Sequence, residues 1–297
     1  MRKMFWSLLM ALCLVGGSQA VTAGPLLPKH AALYGFTSNA DADYTNVLDN
    51  LGYTYDFISP SAWTTMTASD FEQYSAFIAA DFNHYNRSTY LDPLVANMNE
   101  WAPLVDGNML AYGTDEGSHG RPLVVKAGLE WVLSDQTRRS MYLSLSEFYD
   151  VYSSPVAPSI TSPISVDVLS YFGTFEAVGA TSGQCHDDVE IVSDSPAVDF
   201  DGIADDSAYL SNWGCSAHEA FTAIPDDWTA LAILENHPHT AASQIYALPG
   251  GGTASGIPYI IAREVAPADI PEPSALALFT GGLALVSFVR RRRRTRV

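Results

Sequence analysis

Lysine and arginine are scarce in this 297-residue sequence, which holds 15 of them against 33 aspartates and glutamates. Eight of these basic residues lie at the chain ends, two within the first three residues and six within the last eight. Residues 24–270 carry seven basic and 32 acidic residues, a net charge of −25. Such an acidic body repels nucleic acid and anionic lipid surfaces. We therefore expect no nucleic-acid partner.

Cysteine is also rare, with three in the whole chain, and Cys13 lies in an apolar segment near the start. Cys185 and Cys215 remain, and an even pair in an oxidising compartment predicts a disulfide. Closing a loop of about 30 residues would stabilise the fold by about 3 kcal/mol by the chain-entropy argument. Two free thiols, or one catalytic thiol, are the alternatives.

The apolar run near the C-terminus is short, since residues 274–289 number only 16. As a helix they would reach about 24 Å, less than the roughly 30 Å of a bilayer core. Snorkelling arginine side chains and local thinning of the bilayer can close that gap. The run follows Pro271, Glu272 and Pro273 and precedes six arginines in residues 290–297, namely Arg290, Arg291, Arg292, Arg293, Arg294 and Arg296.

This order of Pro-Glu-Pro, apolar run and arginine cluster resembles the PEP-CTERM sorting signal that bacterial exosortases read. The resemblance implies an exosortase as partner, with cleavage near Pro271 to Pro273. Arginines favour the cytoplasmic side, so residues 274–289 are predicted to be a transmembrane helix. The precursor would lie in the inner membrane with its body outside the cytoplasm, and the mature form at the cell surface or in the extracellular space. An ordinary single-pass anchor would have the same topology but keep its tail.

The N-terminus carries a second export signal. Arg2 and Lys3 precede an apolar segment, residues 5–15, that is too short to span a membrane. Small residues offer signal peptidase a cleavage site after Ala20 and another after Ala23. We interpret residues 1–23 as a helical signal peptide, which makes signal peptidase a partner.

The body between these signals has the composition of a folded domain, with 47% hydrophobic and 11% aromatic residues, and a disordered body is excluded. Residues 24–265 are predicted to form one exported α/β domain. Residues 266–273 contain three prolines and read as an extended linker that carries the Pro-Glu-Pro motif.

The first half of the body alternates strand and helix patterns. Repeated βα units of this length predict a parallel sheet, and the second half adds further strands. Predicted helices are 41–51, 91–98 and 123–132, with a short capped turn at Ser69 and Glu72; predicted strands are 31–36, 53–58, 76–80, 108–112, 140–145, 165–175, 189–192, 230–234, 244–247 and 259–262.

The fourth predicted strand ends in the sequence Gly-Thr-Asp-Glu-Gly at residues 113–117. This G-x-D-x-G pattern has the glycine frame of a nucleophile elbow, with Asp115 in the nucleophile's place. Together with the four βα units, it resembles the class I glutamine amidotransferase-like family over about the first third of the domain. The resemblance implies a three-layer flavodoxin-like fold. In that family a cysteine occupies the centre of the elbow, and a carboxylate cannot perform its thioester chemistry.

Asp115, His218 and Glu219 are the candidate catalytic residues. The family resemblance implies a distant His and Glu, and His218 and Glu219 fit those types, although their adjacency departs from the family pattern. His237 and His239 are the competing choice. Adjacent residues of a strand point to opposite faces, so His218 and Glu219 could share a site only on a turn or helix. A wider group that adds Glu116 and His119 has residue types suited to a metal or hydrolase site.

An acidic loop suggests calcium as the one candidate cofactor. Asp199, Asp201, Asp205 and Asp206 surround Gly202, and hard carboxylates around a glycine turn suit Ca²⁺. The full EF-hand pattern with its twelfth-position glutamate is missing. A solvated acidic loop is the simpler interpretation.

Three hypotheses for the body follow. In the first, an exported surface or extracellular-matrix protein has a non-catalytic body, with exopolysaccharide as a candidate partner. In the second, the body is an extracellular hydrolase that uses Asp115 and His218. In the third, it is a carbohydrate- or calcium-binding module. The second hypothesis requires a His218 nitrogen within about 3 Å of a carboxylate in the Asp115 turn.

Overall fold

The computed structural model describes residues 25–36, 42–80, 87–145, 148–149, 162–179, 186–192, 210, 216–249 and 251–265. All of them lie within the predicted exported domain. The strands in chain order are β1 (His30–Tyr34), β2 (Thr54–Ile58), β3 (Ala76–Ala79), β4 (Met109–Tyr112), β5 (Ser140–Ser144), β6 (Ile164–Ser165), β7 (Glu176–Gly179), β8 (Val189–Ile191), β9 (Glu219–Ala223), β10 (Thr229–Glu235), β11 (Gln244–Ala247) and β12 (Thr253–Arg263).

The helices whose bounds the structure describes lie in the first half of the chain. They are α1 (Ala42–Leu51), α2 (Pro60–Trp63), α3 (Ala68–Phe71), α4 (Arg87–Ala96), α5 (Met98–Trp101) and α6 (Pro122–Val132). Short 3₁₀ turns follow at Ala102–Leu104, Asp167–Leu169 and Thr240–Ala242.

A mixed sheet of nine strands forms the centre of the described part of the chain. Strands β1 to β5 are parallel and lie in the order β2-β1-β3-β5-β4. Strand β12 then pairs antiparallel with β4 and continues the sheet to β10 and β8, while β11 pairs with β12. The prediction of an α/β protein whose large sheet is mainly parallel is confirmed.

The strand order differs from the predicted flavodoxin-like arrangement, in which β4 would lie beside β3. Here β5 is inserted between them and pairs in parallel with both. Every residue of β3, β4 and β5 is buried, as expected for central strands covered on both faces. A central parallel strand has the same apolar sequence pattern in either strand order. The sequences of the strands therefore do not reveal which order forms.

Helices cover both faces of the sheet, and successive residues of β1 belong alternately to the hydrophobic clusters on those two faces. Ala31 and Leu33 belong to one hydrophobic cluster, which also contains buried residues of α1 and α6. Ala32 and Tyr34 belong to a second cluster, which contains buried residues of α2 to α5. Opposite faces of one strand therefore contribute to two separate cores.

The prediction of one extended segment at residues 165–175 is wrong. Strand β6 ends at Ser165, and a 3₁₀ turn at Asp167–Leu169 follows. Tertiary contacts explain the turn, because the Asp167 carboxylate accepts a hydrogen bond from the Tyr149 hydroxyl at 2.7 Å and pairs with Arg87. Strands β6, β7 and β9 form a second sheet of three strands within the described residues, and sequence patterns did not predict β7 or β9.

The capped turn also lies two residues earlier than predicted. Thr67 is the N-cap of α3, and its backbone N–H donates to the Asp70 carboxylate at 2.8 Å. The same spacing of hydroxyl and acid occurs at Ser69 and Glu72, so the local pattern permits both choices. Other predicted elements agree with the structure to within a few residues, apart from β12, which extends well beyond the predicted 259–262.

Several predictions fall outside the described residues. They concern the signal peptide, the linker, residues 274–289, the arginine cluster, Cys185, Cys215 and the four aspartates of the candidate calcium loop. In the segments that the structure does describe, no helix combines the length and the apolar character needed to cross a bilayer.

Candidate functional site

A glycine at the end of β4 brings two distant parts of the chain together. The Gly113 N–H donates to the Tyr259 carbonyl at 2.6 Å, and its own carbonyl accepts hydrogen bonds from the backbone N–H groups of His218 and Glu219 at 2.8 and 3.0 Å. A Cβ at this position would lie 2.2 Å from the Glu219 carbonyl oxygen. Only glycine permits this close approach, which sets the start of β9 against the turn that carries Asp115.

Asp115 and His218 contact each other at this junction. The Nε2 atom of His218 lies 2.9 Å from Oδ1 of Asp115. Both side chains are buried, with 0% of each residue exposed. The distance lies within the reach that the hydrolase hypothesis requires.

His119 completes a cluster of three around the same oxygen. Its Nε2 atom lies 3.0 Å from Oδ1 of Asp115, and its ring lies nearly parallel to that of His218, with centroids 5.9 Å apart. The turn after β4 holds His119 in place, because its backbone N–H donates to the Asp115 carbonyl at 3.2 Å. The His119 side chain remains 20% exposed, although its Nε2 atom is itself buried.

The carboxyl group of Asp115 is ionised. Burial alone would raise the pKa of its carboxyl, but the contacts with His119 and His218 outweigh burial and hold that pKa well below its usual range. A buried carboxylate is tolerated only when it is paired or binds a metal, and the two imidazoles satisfy the first of these conditions.

Glu116 occupies a separate environment, although it is the next residue along the turn. Its carboxyl group accepts hydrogen bonds from the hydroxyls of Tyr44, Tyr142 and Ser144. Burial raises its pKa to about 7, against the lowering effect of the tyrosine hydrogen bonds. The turn therefore separates a carboxyl group of lowered pKa beside the histidines from one of raised pKa among the tyrosines.

The Glu219 carboxylate has a different partner: its Oε1 atom accepts the backbone N–H of Tyr149 at 2.8 Å. Glu219 is the first residue of β9, whereas His218 precedes the strand. The two neighbours thus contact different partners, which agrees with side chains on opposite sides of an extended backbone. Of the candidate catalytic residues, the structure brings together Asp115 and His218.

His237, in the competing pair, is part of the loop architecture. Its Nε2 atom lies 3.0 Å from the Gly179 carbonyl, and its Nδ1 atom accepts the His239 N–H at 3.0 Å. These contacts identify a neutral ring that donates through Nε2. The ring joins the loop after β10 to the end of β7.

Sequence reasoning placed His119 only in the wider group of candidate residues. The local signal was its spacing from Asp115, because residues four apart lie on the same side of a helical turn. No local signal identified Tyr44 and Tyr142 as partners of Glu116, since they lie 72 and 26 residues away in the chain.

The cluster also has the composition of a metal-binding site. Asp115, His119 and His218 each offer one ligand atom, and these three atoms lie within 4.8 Å of one another. Two imidazoles and one carboxylate suit zinc and other divalent transition metals. The same atoms could instead act as a hydrogen-bonded acid–base group.

Comparison with known proteins identifies the C-terminal signal. The family model of the PEP-CTERM protein-sorting motif matches residues 269–294. No curated protein and no solved structure matches the chain, so the resemblance of the body to amidotransferases has no support from relatives. The sorting motif indicates an exported protein and an exosortase as its partner.

Proposed function

We propose that the protein is an extracellular hydrolase delivered by the exosortase pathway, with Asp115 and His218 at its reaction centre. The observation that carries this proposal is the 2.9 Å contact between His218 Nε2 and Asp115 Oδ1. Such a contact orients an imidazole and stabilises its protonated form.

Delivery requires two cuts. Signal peptidase removes the N-terminal segment after Ala20 or Ala23. The precursor then stays in the inner membrane through residues 274–289, with the arginine cluster in the cytoplasm and the body outside. Exosortase cleavage near Pro271 to Pro273 transfers the body to the cell surface or the extracellular space.

Mass spectrometry of the exported protein tests this delivery. We expect an N-terminus at residue 21 or 24 and a C-terminus near Pro271. A product that keeps residues 274–297 would indicate an ordinary single-pass anchor instead.

The reaction proposed for the body is hydrolysis with water as the nucleophile. His218 accepts a proton from the attacking water and returns it to the leaving group. Asp115 orients the imidazole and stabilises the cation formed during the reaction. Thioester chemistry of the amidotransferase type is not proposed, because a carboxylate stands at the centre of the elbow.

A panel of ester, amide and glycoside substrates tests the hydrolase proposal. Wild type should hydrolyse at least one class, and His218→Ala and Asp115→Asn should each lower kcat/KM by at least about 100-fold. His30→Ala is the matched control, because His30 also contacts an aspartate, Asp56, at 3.4 Å. His30 is the first residue of β1, whereas Asp115 follows the C-terminal end of β4. His30 therefore lies at the opposite end of the parallel strands, and its variant should keep full activity.

A non-catalytic surface or matrix protein is the second candidate. Its supporting observation is the acidic body, which suits a solvated exported surface. Complete absence of hydrolysis by wild type, together with binding to exopolysaccharide, would favour it. A calcium-binding module is a further possibility that a calcium-dependent thermal shift would test.

A further inference from the structure

We propose that Asp115, His119 and His218 bind one divalent transition-metal ion through Oδ1 and the two Nε2 atoms. The inference goes beyond the hydrolase proposal, because it adds His119 and a metal, and it holds whether or not the body is an enzyme. A bound ion would take the place of the hydrogen bond between His218 and Asp115. Zinc is the representative ion of this class.

The distances suit a shared ion. Two ligand atoms that each lie about 2.1 Å from zinc are about 3.0 Å apart at a right angle and about 3.4 Å apart at the tetrahedral angle. Oδ1 of Asp115 lies 2.9 Å from His218 Nε2 and 3.0 Å from His119 Nε2. These two distances match those of ligands that share an ion, and all three ligand atoms lie within 4.8 Å of one another.

The types of ligand select the class of metal. Imidazole nitrogens favour zinc, copper, iron, cobalt and nickel, whereas calcium and magnesium favour sites built from oxygen alone. The cluster offers two nitrogens and one carboxylate oxygen. This composition also distinguishes it from the all-carboxylate sequence of residues 199–206, which was predicted to suit calcium.

The backbone holds the three ligands in position before an ion arrives. Asp115 and His119 share one turn through the hydrogen bond from the His119 N–H to the Asp115 carbonyl. His218 is held against that turn by its N–H, which donates to the Gly113 carbonyl. A site built on fixed backbone loses little conformational entropy when it binds a ligand.

The His119 side chain lies at the margin of the cluster, and the acidic body attracts cations towards it. The His119 ring is 20% exposed, while the other two side chains are buried. Three protein ligands leave at least one coordination position for water or substrate. The net charge of −25 on residues 24–270 raises the local concentration of cations.

Metal titration of the full-length protein in detergent tests the proposal. The protein is stripped with a chelator and titrated with Co²⁺, whose visible absorption reports nitrogen and oxygen ligands, and Zn²⁺ is then used as competitor. We expect about one Co²⁺ per chain, displaced by Zn²⁺. His119→Ala should weaken binding by at least about 100-fold, since even outer-shell changes weaken metal binding 10- to 100-fold.

His30→Ala is the matched control for the titration. Its contact with Asp56 is not part of a three-ligand group among the described residues, and the variant should bind Co²⁺ as wild type does. Near-ultraviolet circular dichroism verifies that His119→Ala is folded. If that variant fails to fold, Asp115→Asn replaces it, with the same expected loss.

Three results would overturn the proposal. They are absence of Co²⁺ binding by wild type, wild-type affinity in the ligand variant, and displacement of Co²⁺ by equimolar Ca²⁺. The hydrolase proposal fails separately. Metal binding without hydrolysis would reject only the hydrolase, and hydrolysis that persists in a protein unable to bind metal would reject only the metal site.

Discussion

The imidazole of His218 lies 2.9 Å from the carboxylate of Asp115, although 103 residues separate them in the chain. The contact depends on Gly113, whose carbonyl accepts the backbone N–H of His218. This contact places His218, which directly precedes strand β9 of the three-stranded sheet, beside the turn that follows β4. The chemistry proposed for the body depends on this junction.

Replacement of Asp115 by asparagine should destabilise the metal-free protein. The substitution removes the charge that pairs with two buried or partly buried imidazoles, and hydrogen bonds to charged groups contribute about 1.5–3 kcal/mol. We expect the free energy of unfolding in urea to fall by about 2 kcal/mol. Asp56→Asn removes the charge of a half-exposed carboxylate that contacts His30 and accepts a hydrogen bond from the Tyr74 hydroxyl. Because the asparagine oxygen can still accept that bond, stability should change by no more than about 0.5 kcal/mol. Equal effects of the two variants would contradict the role of burial at Asp115.

Glu116 should make stability depend on pH. Its pKa rises from 4.5 in the unfolded chain to about 7 in the folded protein, so the folded state holds the proton more tightly. This contribution is complete below pH 4.5 and is lost as pH rises through about 7, with a total of roughly 3 kcal/mol.

Urea unfolding at a series of pH values measures this effect. Glu116→Gln should flatten the decline between about pH 5 and 8. Glu130→Gln changes a surface carboxylate paired with Lys126 and should leave the decline intact. An unchanged slope in Glu116→Gln would assign the pH dependence to other groups.

Gly113→Ala should disrupt the junction. The new Cβ would lie 2.2 Å from a backbone oxygen of Glu219, which cannot rotate away as a side chain could. We expect a loss of about 3 kcal/mol or more in unfolding free energy. In Gly52→Ala the φ angle is +74° and the space is open, so that control should lose only about 1–2 kcal/mol. Similar losses in the two variants would contradict the close approach at Gly113.

Cys185 and Cys215 are expected to form a disulfide in the exported protein. Residues close to the two cysteines in the sequence contact each other. His186 and Ala217 form an antiparallel bridge, and the Ser216 N–H donates to the Asp187 carboxylate. Peptide mapping without reduction should recover a peptide that joins the two cysteines. Reduction should lower the unfolding free energy by about 3 kcal/mol. Two alkylated free thiols in the exported protein would contradict this prediction.

Local patterns predicted most elements of the described first half. The spacing of Tyr44, Val47 and Leu48 predicted α1, where these residues are buried, and Gly52 ends the helix with a positive φ. The pattern failed at residues 165–175, because the turn there depends on Arg87 and Tyr149, which are distant in the sequence.

The site was predictable only by residue type. Asp115 stood out because glycines frame it, and its spacing from His119 was a local clue. The choice between His218 and His237 required the fold, because both are buried histidines in the second half. In the structure, the His237 ring contacts two backbone groups, whereas the His218 ring contacts the Asp115 carboxylate.

The amino-acid sequence by itself determined the acidic body, the sorting motif at residues 269–294 and the alternation of strands and helices. These properties depend on composition and on contacts between near neighbours, which a linear pattern records. The tertiary structure alone decided the insertion of β5 between β3 and β4 and the meeting of Asp115, His119 and His218. Both depend on pairing between residues far apart in the chain, and local propensity carries no information about such pairing.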